Sequence, residues 1–158
     1  MAKPIKRSEH IMQLSREHHF SLLFCWKVKK GIKKGVEPSR INNYVLYFWK
    51  EHLLPHFSEE DILFEHVNDE LVQRAYDEHH VINNLAMNMG SVSDEDDTLD
   101  LALKIVTLVD EHVRFEEREL FPHLETAIEE SELIEIGKKL FEAQPEPLQD
   151  EYEDEFWK

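Results

Sequence analysis

The chain has 158 residues, of which 41% are hydrophobic, and it carries a formal net charge of −16. That length suits one domain with a sizeable core, and the acidic charge excludes nucleic acid and anionic membrane as partners, because both require a basic face. The single cysteine, Cys25, leaves no internal disulfide or cysteine-based zinc site, and no apolar run approaches the ~20 residues of a membrane span.

The first residues, 1–7, contain no apolar signal-peptide region, which predicts a cytoplasmic protein. Ser8 is a suitable N-cap for a first helix from about residue 9 to 30, and Gly31 would end that helix. Ser39 would cap a second helix. Pro55 lies inside it, and a proline at that position either bends or breaks a helix.

A third helix begins at Asn68 or Asp69 and ends at Gly90. A fourth helix runs from roughly 95 to 130, with a kink expected at Pro122. The glycine and proline content is low for a chain of this length, which favours long helices over many short strands.

Ser131 would cap a short amphipathic helix, and an acidic tail follows it. The predicted fold is therefore all-α: an antiparallel up-down-up-down four-helix bundle with a short C-terminal helix over residues 1–144, then the tail over 145–158. The tail contains aromatic residues, so it is either loose or docked through them.

Ten histidines are the outlying feature of the composition. In two stretches a histidine is followed four residues later by a glutamate, namely His56 with Glu60 and His112 with Glu116. Residues four apart lie on one face of a helix, so each pair directs an imidazole and a carboxylate to the same region.

An internal repeat accompanies these pairs, because the triplet Glu-His-His occurs at residues 17–19 and again at 78–80. Two related helical hairpins would pack with approximate twofold symmetry. A lone histidine in a core position is usually an ordinary buried imidazole, but one on each of four helices favours a metal site, because unpaired burial is costly. The candidate metal ligands are His18, His56, Glu60, His79, His112 and Glu116.

These stretches resemble the hemerythrin family, specifically the bacterial hemerythrin-like HHE cation-binding domains. The resemblance covers about residues 8–130 and depends on Ser-Arg-Glu-His18, His56-Phe-Ser-Glu-Glu60, Asp-Glu-His79 and His112-Val-Arg-Phe-Glu116 with the Glu-Arg-Glu-Leu-Phe-Pro that follows. It implies a non-haem di-iron (Fe) centre with carboxylate and oxo or hydroxo bridges. Glu60 and Glu116 would be the bridging carboxylates, and the four histidines would be terminal ligands.

The sequence departs from the family's oxygen carriers at Asn83, where those proteins have a second histidine on the third helix. Glu117 is an alternative to Glu116, although helix geometry prefers Glu116. The other open alternatives are His19 and His80 in place of their neighbours His18 and His79, and His52 or Glu59 as additional members of the site.

The favoured function is a non-enzymatic di-iron protein that binds O₂ or a related small molecule, or that senses iron or redox state. A di-iron oxidase or peroxidase of the ferritin-like kind is disfavoured, because no Glu-x-x-His motif occurs in the chain. The third hypothesis is a helical interaction module loaded with zinc or another metal. A homodimer is a further expectation, since the acidic tail and a basic loop at 31–38 could pair between subunits.

Overall fold

The computed structural model describes residues 6–158, which form five helices and no strands. The all-α prediction is therefore confirmed for this part of the chain, whereas most of the N-terminal stretch 1–7 lies outside it. Among residues 6–158, every helix is too short or too polar to span a bilayer. The helices are α1 (Met12–Lys33), α2 (38–64), α3 (Glu70–Met89), α4 (95–127) and α5 (Glu130–Ala143).

Two of these helices contain a π-helical turn in their interior. The segments of α2 are Pro38–Phe48, the π-turn Trp49–Leu53 and Leu54–Phe64, and those of α4 are Glu95–Phe115, the π-turn Glu116–Leu120 and Phe121–Ala127. The second residue after each π-turn is a proline, Pro55 in α2 and Pro122 in α4. A π-turn widens the backbone and shifts its hydrogen-bond register, so the proline ring fits without the i−4 hydrogen bond that it cannot make. The break considered at Pro55 is therefore wrong, and α2 is continuous.

The first helix differs at both ends from its prediction. Ser8 does not cap it, because residues 9–11 form a turn and the helix begins at Met12. Gly31 does not end it, since the helix continues to Lys33 and the left-handed glycine is Gly35, with φ of 74°. Gly31 instead lies under the ring of Phe156, where a side chain would not fit.

The ends of the other helices agree in part with those predicted from the sequence. Asp69 caps α3, because its side chain accepts a hydrogen bond from the Val72 N–H, as predicted. Ser39 and Ser131 are not caps but lie inside the first turns of α2 and α5, which begin at Pro38 and Glu130. A proline at the first helical position needs no hydrogen-bond partner for its nitrogen. The fourth helix ends at 127 rather than 130.

Two apolar clusters form the core, and the candidate ligands separate them along the four long helices. On α1, Leu14 belongs to one cluster and Phe24 to the other, with His18 between them. On α3, Ala75 and Ile82 flank His79 in the same way. The polar groups are thus placed at mid-height of the bundle, in surroundings that exclude water.

The C-terminal tail is docked rather than loose. Phe156 and Trp157 are buried in the larger apolar cluster. The Asp150 carboxylate accepts a hydrogen bond from Lys27 Nζ at 2.8 Å, and the Arg40 guanidinium binds both carboxylate oxygens of Asp154 at 2.8 and 2.5 Å. The tail is therefore packed against the bundle through aromatic and charged contacts.

Candidate metal centre

Each of the four long helices places one histidine at the centre of the bundle. His18 comes from α1, His56 from α2, His79 from α3 and His112 from α4, and none is more than 5% exposed. The structure thus brings together the four histidines that the sequence singled out.

Two glutamates, both fully buried, lie between these imidazoles. Glu60 presents a different oxygen to each side of the centre. Its Oε2 lies 3.3 Å from the Nε2 atoms of His18 and His56, and its Oε1 lies 3.0 Å from Nε2 of His79. A carboxylate placed in this way can bridge two ions.

Glu116 occupies the equivalent position on α4. Its Oε1 lies 2.9 Å from Nε2 of His18 and 3.1 Å from Nε2 of His112, and its Oε2 lies 3.7 Å from Nε2 of His79. The result is two four-residue sets with both glutamates in common, and the ligand atoms of each set lie within 4.8 Å of one another. The sets are His18, His56, Glu60 and Glu116, and Glu60, His79, His112 and Glu116.

The protein alone does not satisfy the polar atoms at this centre. Within residues 6–158, His56 Nε2, both carboxylate oxygens of Glu60 and Glu116 Oε2 are buried and have no hydrogen bond of acceptable geometry. The Nε2 atoms of His79 and His112 face each other at 3.1 Å. Buried polar groups without partners are costly, and coordination of metal ions would satisfy all of these atoms together.

A second layer of carboxylates lies behind three of the imidazoles. Each accepts a hydrogen bond from the Nδ1–H, which leaves the Nε2 lone pair directed at the centre. The pairs are Glu17 with His56 at 2.7 Å, Glu78 with His112 at 2.7 Å and Glu117 with His18 at 2.8 Å. This is the hydrogen-bond arrangement of metal-binding histidines, and it fixes both tautomer and ring orientation.

The comparison with protein families agrees with this geometry. The model of the hemerythrin HHE cation-binding domain matches residues 24–124, which is more than half of the chain. The chain belongs to this family. Comparisons with curated proteins and with solved structures gave no significant match. The match begins after His18, so this residue is placed in the centre by the structure rather than by the family comparison.

In this hemerythrin-family chain the histidines hold protons tightly when no metal is bound. Burial by itself lowers the pKa of His56, but attraction to the nearby Glu60 carboxylate and the hydrogen bond to Glu17 outweigh it and raise the pKa to about 10. Burial also lowers the pKa of His112, but attraction to Glu116 and the hydrogen bond to Glu78 outweigh this effect. The pKa of His112 therefore rises to about 9. Metal binding at these nitrogens must therefore displace protons.

The alternative ligands lie elsewhere. His19 and His80 are exposed on the outer faces of α1 and α3. Glu117 is directed away from the shared carboxylates, and it binds the Ser15 hydroxyl at 2.8 Å as well as the back of His18. Glu116 keeps α-helical spacing from His112 because the π-turn begins at Glu116 itself. The structure therefore places Glu116, not Glu117, between the two histidine pairs.

The remaining candidates surround the centre without joining the two sets. His52 stacks on Phe48 with ring centroids 4.7 Å apart. Burial and a hydrogen bond with Glu17 raise the pKa of Glu59 to about 8, which keeps this acid protonated at neutral pH. Asn83, the position that departs from the oxygen carriers, accepts a hydrogen bond from the Trp49 indole at 2.8 Å.

Two functional residues were missed by the sequence reasoning. Glu17 and Glu78 hold the imidazoles of His56 and His112, yet only their histidine neighbours were considered as candidates. The signal was present, because the Glu-His-His repeat contains both glutamates at equivalent positions. A carboxylate adjacent in sequence to one ligand can support a ligand on the next helix.

Proposed function

We propose that the protein holds a di-iron centre and binds O₂ or a related small molecule there without acting as an enzyme. Glu60 and Glu116 would bridge the two ions. The observation that carries the proposal is the presence of two overlapping donor sets with both carboxylates in common. One ion would take His18 and His56, and the other would take His79 and His112.

The donor chemistry supports iron. Each half offers two imidazoles with carboxylate oxygens, the mixed set that suits iron in sites that keep open positions. Bound iron would supply reversible redox chemistry and a coordination position for a small molecule. The sequence predicts four antiparallel helices in up-down-up-down order. That order would bring one histidine from each helix to the same height, as a metal site inside a helix bundle requires.

Aromatic side chains keep the surroundings of the imidazoles dry. The ring of Phe57 stacks on His79 with centroids 3.9 Å apart, and Phe121 stacks on His18 at 5.2 Å. Both phenylalanines are buried. They hold the imidazole planes in place and exclude water, which would favour a small apolar molecule over competing hydration.

Metal analysis of protein expressed in iron-rich medium tests the proposal. We expect about two irons per chain, as a bridged pair requires, together with charge-transfer absorption in the near ultraviolet that changes on exposure to O₂. Glu60→Ala should abolish most of the iron, because both halves lose a donor. His52→Ala is the matched control, since it removes a buried histidine of the same helix that lies outside both sets.

Four outcomes would contradict the proposal or its account of the metal-binding residues. Protein that contains no iron would exclude it, and stoichiometric zinc with no iron would favour the metal-loaded interaction module. Steady consumption of peroxide by the iron-loaded protein would favour the enzyme. Equal iron loss in Glu60→Ala and His52→Ala would show that loss of packing, rather than loss of a bridging donor, removed the metal.

A further inference from the structure

The two halves of the bundle have matching residues around the centre, but within residues 6–158 the groove beside them is covered in one half and open in the other. Glu17 on α1 and Glu78 on α3 each accept a hydrogen bond from a histidine of the next helix, His56 and His112 respectively. These pairs mark equivalent positions in the two helical hairpins. Side chains one turn further along each hairpin can therefore be compared directly.

Between α3 and α4 there is a cavity of about 420 Å³. Val81, Ile82 and Leu108 form its apolar wall, and Glu78 with His112 form its inner end. Val81 remains 47% exposed. A cavity of this size, mostly apolar with a few polar groups at one end, has the features of a small-molecule site.

The equivalent place between α1 and α2 is largely covered. The cavity beside Glu17 and His56 measures only about 10 Å³, enough for at most one water, and a second one of about 170 Å³ lies between Phe20, Phe141 and the tail. The larger Phe20 stands where α3 has Val81, and Leu148 of the C-terminal tail closes the outside. Within residues 6–158 the chain therefore covers one groove with its own apolar side chains and places no segment over the other.

Carboxylates outnumber cations in the open groove, even when the proton held by His112 at its inner end is counted. Four carboxylates and one guanidinium line it: Glu70, Asp77, Glu78, Glu111 and Arg74. The guanidinium is already paired, since Arg74 Nε donates to Glu78 at 3.0 Å and its cation lies 3.8 Å above the Phe115 ring. An occupant that complements both the apolar wall and these carboxylates has an apolar body and a positive charge.

We propose that the α3–α4 groove is a binding site for a small organic amine, with its apolar body against Val81 and Leu108 and its ammonium group among the carboxylates. The site is separate from the metal positions, because it faces the Nδ1 side of His112 rather than the Nε2 side. Glu78 belongs to both places. An ammonium group that pairs with Glu78 would compete with its hydrogen bond to His112, so occupancy of the groove would act on the orientation of one metal ligand.

The test uses the full-length protein, both as purified and after metal removal, so that its outcome does not depend on the identity of the metal. The probes are phenethylamine, phenethyl alcohol and phenylpropanoate, which share one apolar body and carry a positive, zero or negative charge. We expect saturable one-to-one binding of the amine by calorimetry, with the alcohol about tenfold weaker and the anion weaker still. Saturable binding of none of the probes, or equal binding of all three, would overturn the proposal.

Variants locate the site. Val81→Trp should fill the groove and abolish amine binding, whereas Met87→Trp, a substitution at an exposed position of α3 outside the groove, should leave it unchanged. The double variant Asp77→Asn with Glu111→Gln changes only exposed side chains and should weaken the amine by about tenfold while the alcohol is unaffected. Amine binding that survives both changes would show that the site lies elsewhere. Concentration-dependent dimerisation that Val81→Trp abolishes would identify a second chain as the occupant and overturn the proposal.

Discussion

Metal binding at this centre should weaken steeply as the pH falls, because protons compete for the same nitrogens. Without metal, the pKa of His56 is about 10, and that of His18 is well above its ordinary value, since its glutamate partners outweigh the effect of burial. The His56 imidazole is therefore protonated between pH 6 and 8, and the raised pKa of His18 acts in the same direction. Each proton that the metal displaces lowers the apparent affinity about tenfold per pH unit below the pKa.

The magnitude follows from the number of histidines in one half of the centre. From pH 8 to pH 6 one displaced proton lowers the apparent affinity about a hundredfold, or about 2.7 kcal/mol. If the metal displaces a second proton, from His18, the loss rises to about 10⁴-fold, or about 5.5 kcal/mol. The glutamates do not offset this loss, because the pKa of Glu60 is held well below its ordinary value by the surrounding histidines despite its burial.

Competition with a chelator of known proton affinity at pH 6, 7 and 8 measures this dependence. Calorimetry in two buffers of different ionisation enthalpy counts the protons released. An affinity that changes less than about threefold across this range, together with no proton release, would refute the reasoning, because the nitrogens would then be unprotonated before the metal arrives.

Further predictions concern the glutamates, the apo protein and the tail. Glu116→Ala should remove most of the metal, as measured by metal content. Glu117→Ala should keep the metal but lower the affinity about 10- to 100-fold, as measured by chelator competition. Equal metal loss in both variants would contradict the placement of Glu116 rather than Glu117 at the centre. In the folded protein the pKa values of His112 and His56, about 9 and 10, lie above the ordinary 6.5. The protonated imidazoles therefore stabilise the metal-free fold fully below pH 6.5, and this contribution is lost as the pH rises through 9 and 10. The melting temperature of the metal-free protein should fall from pH 7 to pH 10, and a rise would exclude this linkage. Gly31→Ala would bring a methyl group to 2.5 Å from the Phe156 ring and should lower the free energy of unfolding, measured by urea denaturation, by about 1–3 kcal/mol. Gly90→Ala, whose nearest contact is 3.4 Å, is the control. Unchanged stability of Gly31→Ala would mean that the tail does not pack as described.

The parts of the site that were predictable from sequence depend on local periodicity. His56 with Glu60 and His112 with Glu116 are four residues apart, and helix geometry alone directs each pair to one face. Glu116 lies between the two histidine pairs and Glu117 does not, which is the placement that four-residue spacing from His112 predicts. Spacing within one helix is a property of the sequence, so it can be used before the fold is known.

The unpredicted parts depend on contacts between segments distant in sequence. Gly31 was interpreted as a helix terminator, but it permits the close approach of Phe156, a residue near the other end of the chain. Pro55 was interpreted as a possible helix break, but the preceding π-turn accommodates it. The same limit applies to Glu17, because its partner His56 belongs to another helix. Local rules describe what a residue permits, whereas tertiary packing determines which of those possibilities is used.

The approximate twofold symmetry of the centre is broken behind one histidine. Asp61 follows Glu60 on α2 as Glu117 follows Glu116 on α4, but its side chain is shorter and the residue is exposed. Within residues 6–158 no carboxylate accepts a hydrogen bond from Nδ1 of His79, whereas Glu117 accepts one from His18. A carboxylate behind an imidazole raises its basicity and fixes its orientation, so His79 is the weaker donor and is oriented chiefly by its stacking on Phe57. The two halves therefore have matching donor atoms but unequal donor strength, and the weaker half is also the one that borders the open groove.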